Sequence, residues 1–132
     1  MKHITSEWLR AANDDLMVIE KILSEPHLTH IVAFHAQQAV EKTLKAIVEE
    51  CEIEIPKIHK IGTLIRKIDD RYISKEAIDY KLIELLDDLY TESRYPGDFG
   101  LLPDGKPSLN DAKSFFNFAR CLYREVSKKL AQ

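Results

Sequence analysis

FHAQQAVEKTLKAI, residues 34–47, sorts into two faces when wound as an α-helix. Ala36, Ala39, Val40, Thr43, Leu44, Ala46 and Ile47 share one broad arc. His35, Gln38, Lys42, Lys45 and Glu49 follow one another at steps of three and four along a polar stripe. An arc that wide exceeds what one neighbouring helix covers, so the stretch predicts a central helix touching at least two others. Its alanines agree, because small side chains let backbones approach closely. A solvated face needs only generic Lys and Glu, whereas an imidazole and an amide add directional hydrogen bonding. The stripe therefore reads either as solvated surface or as a ligand-facing strip.

Working outward, the same periodicity predicts four further helices. Leu9, Ala12, Leu16, Ile19 and Leu23 define a first helix over about Ser6–Leu23, with Thr5 or Ser6 as its N-cap. Pro26 separates it from the second, which spans about Leu28 to Glu50. A third, short helix carries Ile58, Ile61, Leu64, Ile65 and Ile68, with His59 near its start and Gly62 lowering its intrinsic stability. The fourth, about Ser74–Tyr90, is expected to bury Ile78, Leu82, Leu85, Leu86 and Leu89. The fifth opens on Ser108-Leu-Asn-Asp111, a capping box with Asp in place of Glu. Leu109, Ala112, Phe116, Ala119, Tyr123, Val126 and Leu130 then form a seam that predicts a long helical partner, with the first helix the natural one. No useful length alternates with period two. The fold expected is all-α, an up-and-down bundle of four main helices and one short one.

At 132 residues the chain is read as one domain, long enough to bury a core without a disulfide or metal staple. With 31% charged residues and no run approaching a membrane span, the composition is that of a soluble protein. No secretory signal precedes Trp8, so cytoplasmic residence is the default. The net charge of -3 argues against holding nucleic acid by a general positive field, so anion binding would need a local cluster. Cys51 and Cys121 are far apart with no zinc-ligand pattern, and read as buried or half-buried free thiols. His27, His30 and His35 lack a completing carboxylate or thiol, so neither a metal site nor a cofactor is expected. The adjacent pairs Asp14-Asp15, Asp69-Asp70 and Asp87-Asp88 read as solvated faces or helix-end charges.

Between the fourth and fifth helices, Thr91–Pro107 holds three of the four glycines and three of the five prolines, which breaks both helices. A connection this long in a small bundle is often functional. Within it Arg94 and Tyr95 precede a Pro-Gly turn. If the fourth helix runs one turn further, Arg94 falls on the side of Ile83 and Tyr90.

Three pieces of the chain together resemble the HEPN domains, the higher-eukaryote and prokaryote nucleotide-binding family. They are Ala11 with Asp14-Asp15-Leu16 after Trp8, the FHAQQAVEKTLKA stretch, and His59 with Leu64-Ile65 followed by Tyr90 and Ser93-Arg94-Tyr95-Pro96. The resemblance implies an up-and-down bundle, commonly a homodimer, often paired with a minimal nucleotidyltransferase in a toxin–antitoxin-like system. Many such proteins are metal-independent RNases with an Arg-x4-6-His motif. After Arg94 no histidine follows, and Arg66 and Arg71 have none in the window either, so the motif is not present.

The ligand-binding residues expected are His35, Gln38, Lys42, Lys45, His59, Arg94 and Tyr95, converging from facing helices on one groove. There Arg94 would take phosphate oxygens and Tyr95 would stack on a base. Gln37 reads as a buried amide satisfied by backbone, and Glu41 as a tie between helices. Three functions stay open. The first is a non-catalytic dimeric module for a nucleotide, an RNA or a partner nucleotidyltransferase. The second is an endoribonuclease using Arg94 with His35 or His59. The third is a structural, dimer-forming protein whose polar strip is only solvated surface. Homodimerisation is expected separately, because the wide apolar arcs of the second and fourth helices, with Phe115, Phe116, Phe118 and Tyr123, exceed what one bundle needs.

Overall fold

α2, Thr29–Cys51, is the axis around which the molecule is built: α1 (His3–Ile22), α4 (Tyr80–Arg94), α5 (Leu109–Leu130) and the short α3 (Ile61–Arg66) all pack on it. The structure is a computed structural model that describes residues 1–55, 57, 60–94 and 106–132, with only the backbone of 91–94. Among the described residues there is no strand, and the chain forms an all-α bundle of four long helices and one short one. Ala36, Ala39, Val40, Thr43, Leu44, Ala46 and Ile47 are all buried, so the arc of α2 is covered on every side, as the sequence predicts. No helix among the described residues is long and apolar enough to cross a membrane.

α1 and α2 run antiparallel, with Thr5 against Glu50 at one end and Asp15 against His35 near the other. α1 starts at His3, three residues before the expected Ser6, and neither Thr5 nor Ser6 caps it. The capping oxygen comes instead from the last turn of α2. Glu50 Oε1 accepts the Lys2 backbone N–H at 2.8 Å and the Thr5 hydroxyl at 2.9 Å. Those hydrogen bonds, the Lys2 amide foremost, hold the Glu50 carboxyl below the usual carboxylate range.

α4 also departs from expectation. Residues 75–77 form a single 3₁₀ turn, and α4 begins only at Tyr80, where Asp79 Oδ1 accepts from the amides of Lys81 and Leu82. The buried face also differs from the stripe predicted from the apolar pattern. Ile83, Leu86 and Asp87 are buried, while Leu85 is 41% exposed. The helix then continues through Arg94, one turn past the expected Tyr90.

α5 opens on the predicted capping box, the Asp111 amide donating to Ser108 Oγ at 3.0 Å and the Ser108 amide to Asp111 Oδ2 at 3.3 Å. Its seam packs chiefly on α2 and only secondarily on α1, the partner its spacing suggested. Lys106 Nζ donates to the His27 carbonyl at 2.9 Å, which sets the start of α5 beside the start of α2. Phe115 and Phe116 lie in this core and Phe118 and Tyr123 pack on its edge, half-buried. Cys51 is half-buried, but Cys121 is exposed, and both are free thiols.

α3 is held by its neighbour. The Ile61 and Gly62 amides donate to Asp87 Oδ1 and Oδ2 of α4, at 3.0 and 3.3 Å. A Cβ on Gly62 would sit 3.4 Å from Ile83 Cγ2 and 3.8 Å from Asp87 Oδ2. Those are ordinary contact distances, so the space between the two helices would accept a methyl group at this position.

Candidate functional site

The polar stripe of α2 meets a carboxylate that its own sequence does not contain. Asp15 of α1, only 7% exposed, accepts from His35 Nδ1 on Oδ1 and from Lys42 Nζ on Oδ2, each at 2.8 Å. His35 and Lys42 are two turns apart, so one carboxylate placed between them serves both. The Lys42 ammonium and the Asp15 carboxylate neutralise each other, and the imidazole is oriented with Nδ1 spoken for and Nε2 left over. Gln38 turns along α2, donating to Gln37 Oε1 at 2.9 Å and to Glu41 Oε2 at 3.4 Å. Lys45 lies a turn further on, lining a depression beside Trp8 and Val48. The stripe is therefore mostly engaged within the protein.

A second face of α2 meets α4. Asp87 is buried, and its carboxyl is pushed up by that burial, an effect only partly offset by the Ile61 and Gly62 amides and by the Gln37 side chain. Gln37 is buried as expected, but its partners include the side chains of Gln38 and Asp87. One turn along, Phe34 stacks on Tyr90 with ring centroids 5.5 Å apart and planes at 24°. The two pairings fix an antiparallel register, because stepping back from Gln37 to Phe34 on α2 steps forward from Asp87 to Tyr90 on α4. Counted on by one more turn, the same register pairs position 94 of α4 with His30 of α2.

His30 is distinctive at that position. Its Nδ1 has neither solvent nor a hydrogen-bond partner, and the ring is held towards its neutral form, first by burial and then by the nearby Lys106 ammonium. His27, His30 and Lys106 therefore gather where α2 begins, at the end where α4 finishes in Arg94. Of the residues expected to converge, His35 and Lys42 share Asp15, Gln38 adjoins them, and Lys45 stands apart. His59 and Tyr95 lie outside the described residues.

Reading the sequence missed Asp15, Asp87, His30 and Lys106. The aspartates were legible in principle: Asp15 lies on the stripe of Ala12, Leu16 and Ile19, and Asp87 on that of Ile83, Leu86 and Tyr90. Treating adjacent aspartates as solvated pairs holds for Asp69-Asp70, both exposed, but overlooked that Asp15 and Asp87 face inward. Lys106 carried no local signal, since only the bundle's closure places it beside His27. Among the described residues no group of three or more His, Cys, Asp or Glu is placed to hold a metal ion.

A groove of about 480 Å³ runs between α3 and α4. Lys60 and Arg66 line it on one side and Lys81, Glu84, Asp87 and Asp88 of α4 on the other, and the Arg66 guanidinium lies 5.4 Å from the Tyr80 ring centre. Its charges balance, which gives it no bias towards an anion.

A HEPN domain family model matches residues 5–129. Among solved structures, the crystal structure of ST0689, an archaeal HEPN homologue, is 25% identical with a TM-score of 0.68. That match covers 97% of this chain and 98% of the other. TT1696 from Thermus thermophilus is similar in fold, at 19% identity and a TM-score of 0.68, over 97% of this chain and 99% of that one. No curated protein matches the chain.

Proposed function

Because the chain belongs to the HEPN domain family, we propose that it is a binding module taking a phosphate-bearing ligand, a nucleotide or an RNA strand, where α2 begins and α4 ends. One observation carries this reading: the α2–α4 register of the Gln37–Asp87 and Phe34–Tyr90 pairings, which runs on towards His30 and Arg94 at the end of α2 where Lys106 lies. With a net charge of -3, recognition of an anion must be local, and His27, His30 and Lys106 gather at this end of α2. The central stripe is a weaker candidate, since Asp15 already answers Lys42 and His35.

Calorimetry with ATP, GTP and short RNAs at low salt tests the reading. Heat that Arg94→Ala and Lys106→Ala remove, and Lys45→Ala leaves, supports it; no heat from the wild-type protein ends it. The apparent affinity should also fall as salt rises, since phosphate contacts release counterions.

A second reading, metal-independent RNA cleavage, is favoured by the Asp15–His35 hydrogen bond, which orients the imidazole and leaves Nε2 for proton transfer. Labelled RNA in EDTA tests it, with His35→Ala and Arg94→Ala as controls. Equal cleavage by the variants, or none by the wild type, excludes it. Self-association and pairing with a minimal nucleotidyltransferase belong to the same family reading. Light scattering that gives only the 15.3 kDa species contradicts the first, and separate elution of the two co-expressed proteins contradicts the second.

A further inference from the structure

At the opposite end of α2 from His30, roughly 27 Å away at 1.5 Å per residue, lies a surface that the phosphate reading does not use. It is a shallow depression of about 690 Å³ between the first turns of α1 and the segment that follows α2. Trp8, Val48, Ile53 and Ile55 supply its apolar lining. On its other side Trp8, with Ile4 and Glu7, lines a second hollow of about 260 Å³. Ile4 and Met1, 48% and 55% exposed, extend the apolar surface beyond the first turn of α1.

Three features distinguish this surface from scattered exposed aliphatics. It is concave, and its apolar side chains are contiguous through Trp8. The indole N–H is buried with no acceptor, so packing alone holds the ring and its donor is unmet. Finally, the charged groups around it are unbalanced: Glu49 and Glu54 in the depression and Glu7 beside the second hollow, against Lys45. Glu7 already pairs with Arg10, which leaves Glu49 and Glu54 as the charges that select.

We propose that this surface docks a basic amphipathic segment of a partner protein, one apolar side chain seated among Trp8, Ile53 and Ile55 and flanking lysines or arginines facing Glu49 and Glu54. The apolar anchor supplies affinity and the carboxylates set the sign of the partner's charge. The hollow is too open to enclose a small molecule, whereas a helix or extended strand covers a concavity of this kind with every other turn or residue. This surface and the phosphate site share no residue, so either role can fail alone.

Trp8 is the only tryptophan of the chain, so its emission reports directly on the site. The probe is a 14-residue peptide of leucine and lysine at helical spacing, with a counterpart in which every lysine is glutamate. Titration into the wild-type protein should give a saturable change in Trp8 emission with the lysine peptide, at least tenfold weaker with the glutamate one. The double variant Glu49→Lys, Glu54→Lys should weaken the lysine peptide at least fivefold and strengthen the glutamate peptide. Both positions are on the surface, and an unchanged far-ultraviolet spectrum confirms the fold. Ile53→Ser should weaken both peptides. No saturable response, equal responses to the two peptides, or indifference to the charge reversal would overturn the proposal.

Discussion

Replacing Asp15 separates a structural role for the α2 stripe from a ligand-binding one. In the wild type its two oxygens each receive a 2.8 Å hydrogen bond, from His35 and from Lys42. Hydrogen bonds to charged groups contribute about 1.5–3 kcal/mol each when fully buried. The His35 and Lys42 side chains are 24% and 27% exposed, so each recovers part of its solvation once the carboxylate has gone. Counting about 1 kcal/mol for each bond after that recovery, Asp15→Ala should lose about 2 kcal/mol. For a domain of this size that corresponds to roughly 6–10 °C in melting temperature. Urea unfolding followed by Trp8 emission and circular dichroism measures it, and a double-mutant cycle with Lys42→Met should show coupling of about 1 kcal/mol. The same variant frees an ammonium and an imidazole. If the stripe is the anion site, phosphate or RNA affinity rises; if the site lies at the α2–α4 end, affinity stays within about twofold. A stability loss under about 0.5 kcal/mol would refute the account of Asp15 as the clamp between α1 and α2.

Asp87 gives a pH dependence of unusual sign for a carboxylate. Burial raises its folded pKa above the unfolded value, so its contribution to stability is full below the unfolded pKa and is lost as pH rises through the folded one. Relative to Asp87→Asn, the wild type should therefore gain as pH is lowered from about 7 to about 4 in paired urea titrations, and a relative loss on acidification contradicts the buried placement. At the start of α5, Ser108→Ala should cost about 1 kcal/mol by removing the acceptor for the Asp111 amide, and a melting temperature shifted by less than about 1 °C would mean the cap is redundant.

The fold was largely legible because its helices carry strong local signals. The arc from Ala36 to Ile47 announced a central helix, and Ser108 with Asp111 announced the start of α5. What escaped the sequence was set by distant groups. Glu50 caps α1 from the far end of α2, so Thr5 and Ser6 did not need to. Asp79, not Ser74, starts α4, and its buried face runs through Ile83, Leu86 and Asp87 while Leu85 is exposed. The partner of α5 could not be read from its own seam, because a seam specifies spacing and not the identity of the facing helix. At the candidate site, His35 and Lys42 were legible as a polar strip, but their shared acceptor lies 20 and 27 residues away in the chain.

These distant groups explain how an alanine-rich arc specifies one arrangement. Small apolar faces pack closely, yet they resist poorly a slide of one turn, about 5.4 Å, since alanine against alanine looks much the same before and after. Directional bonds are not so tolerant. On α2, His35 and Lys42 bind the Asp15 oxygens of α1, Gln37 bonds Asp87 of α4, and Glu50 receives the first amide before α1. A slide of either neighbour would break its own pairing and strand a buried carboxylate, which costs several kcal/mol when a partner is lost. The register that runs on towards His30 and Arg94 thus depends on Gln37–Asp87 and on the Phe34–Tyr90 stack one turn nearer. Residues with no contact to a ligand would then determine whether the ligand's groups meet at all. Gln37→Leu, which keeps the volume but removes the bond, is the substitution in which a loss of phosphate binding without a change at Arg94 would expose that dependence.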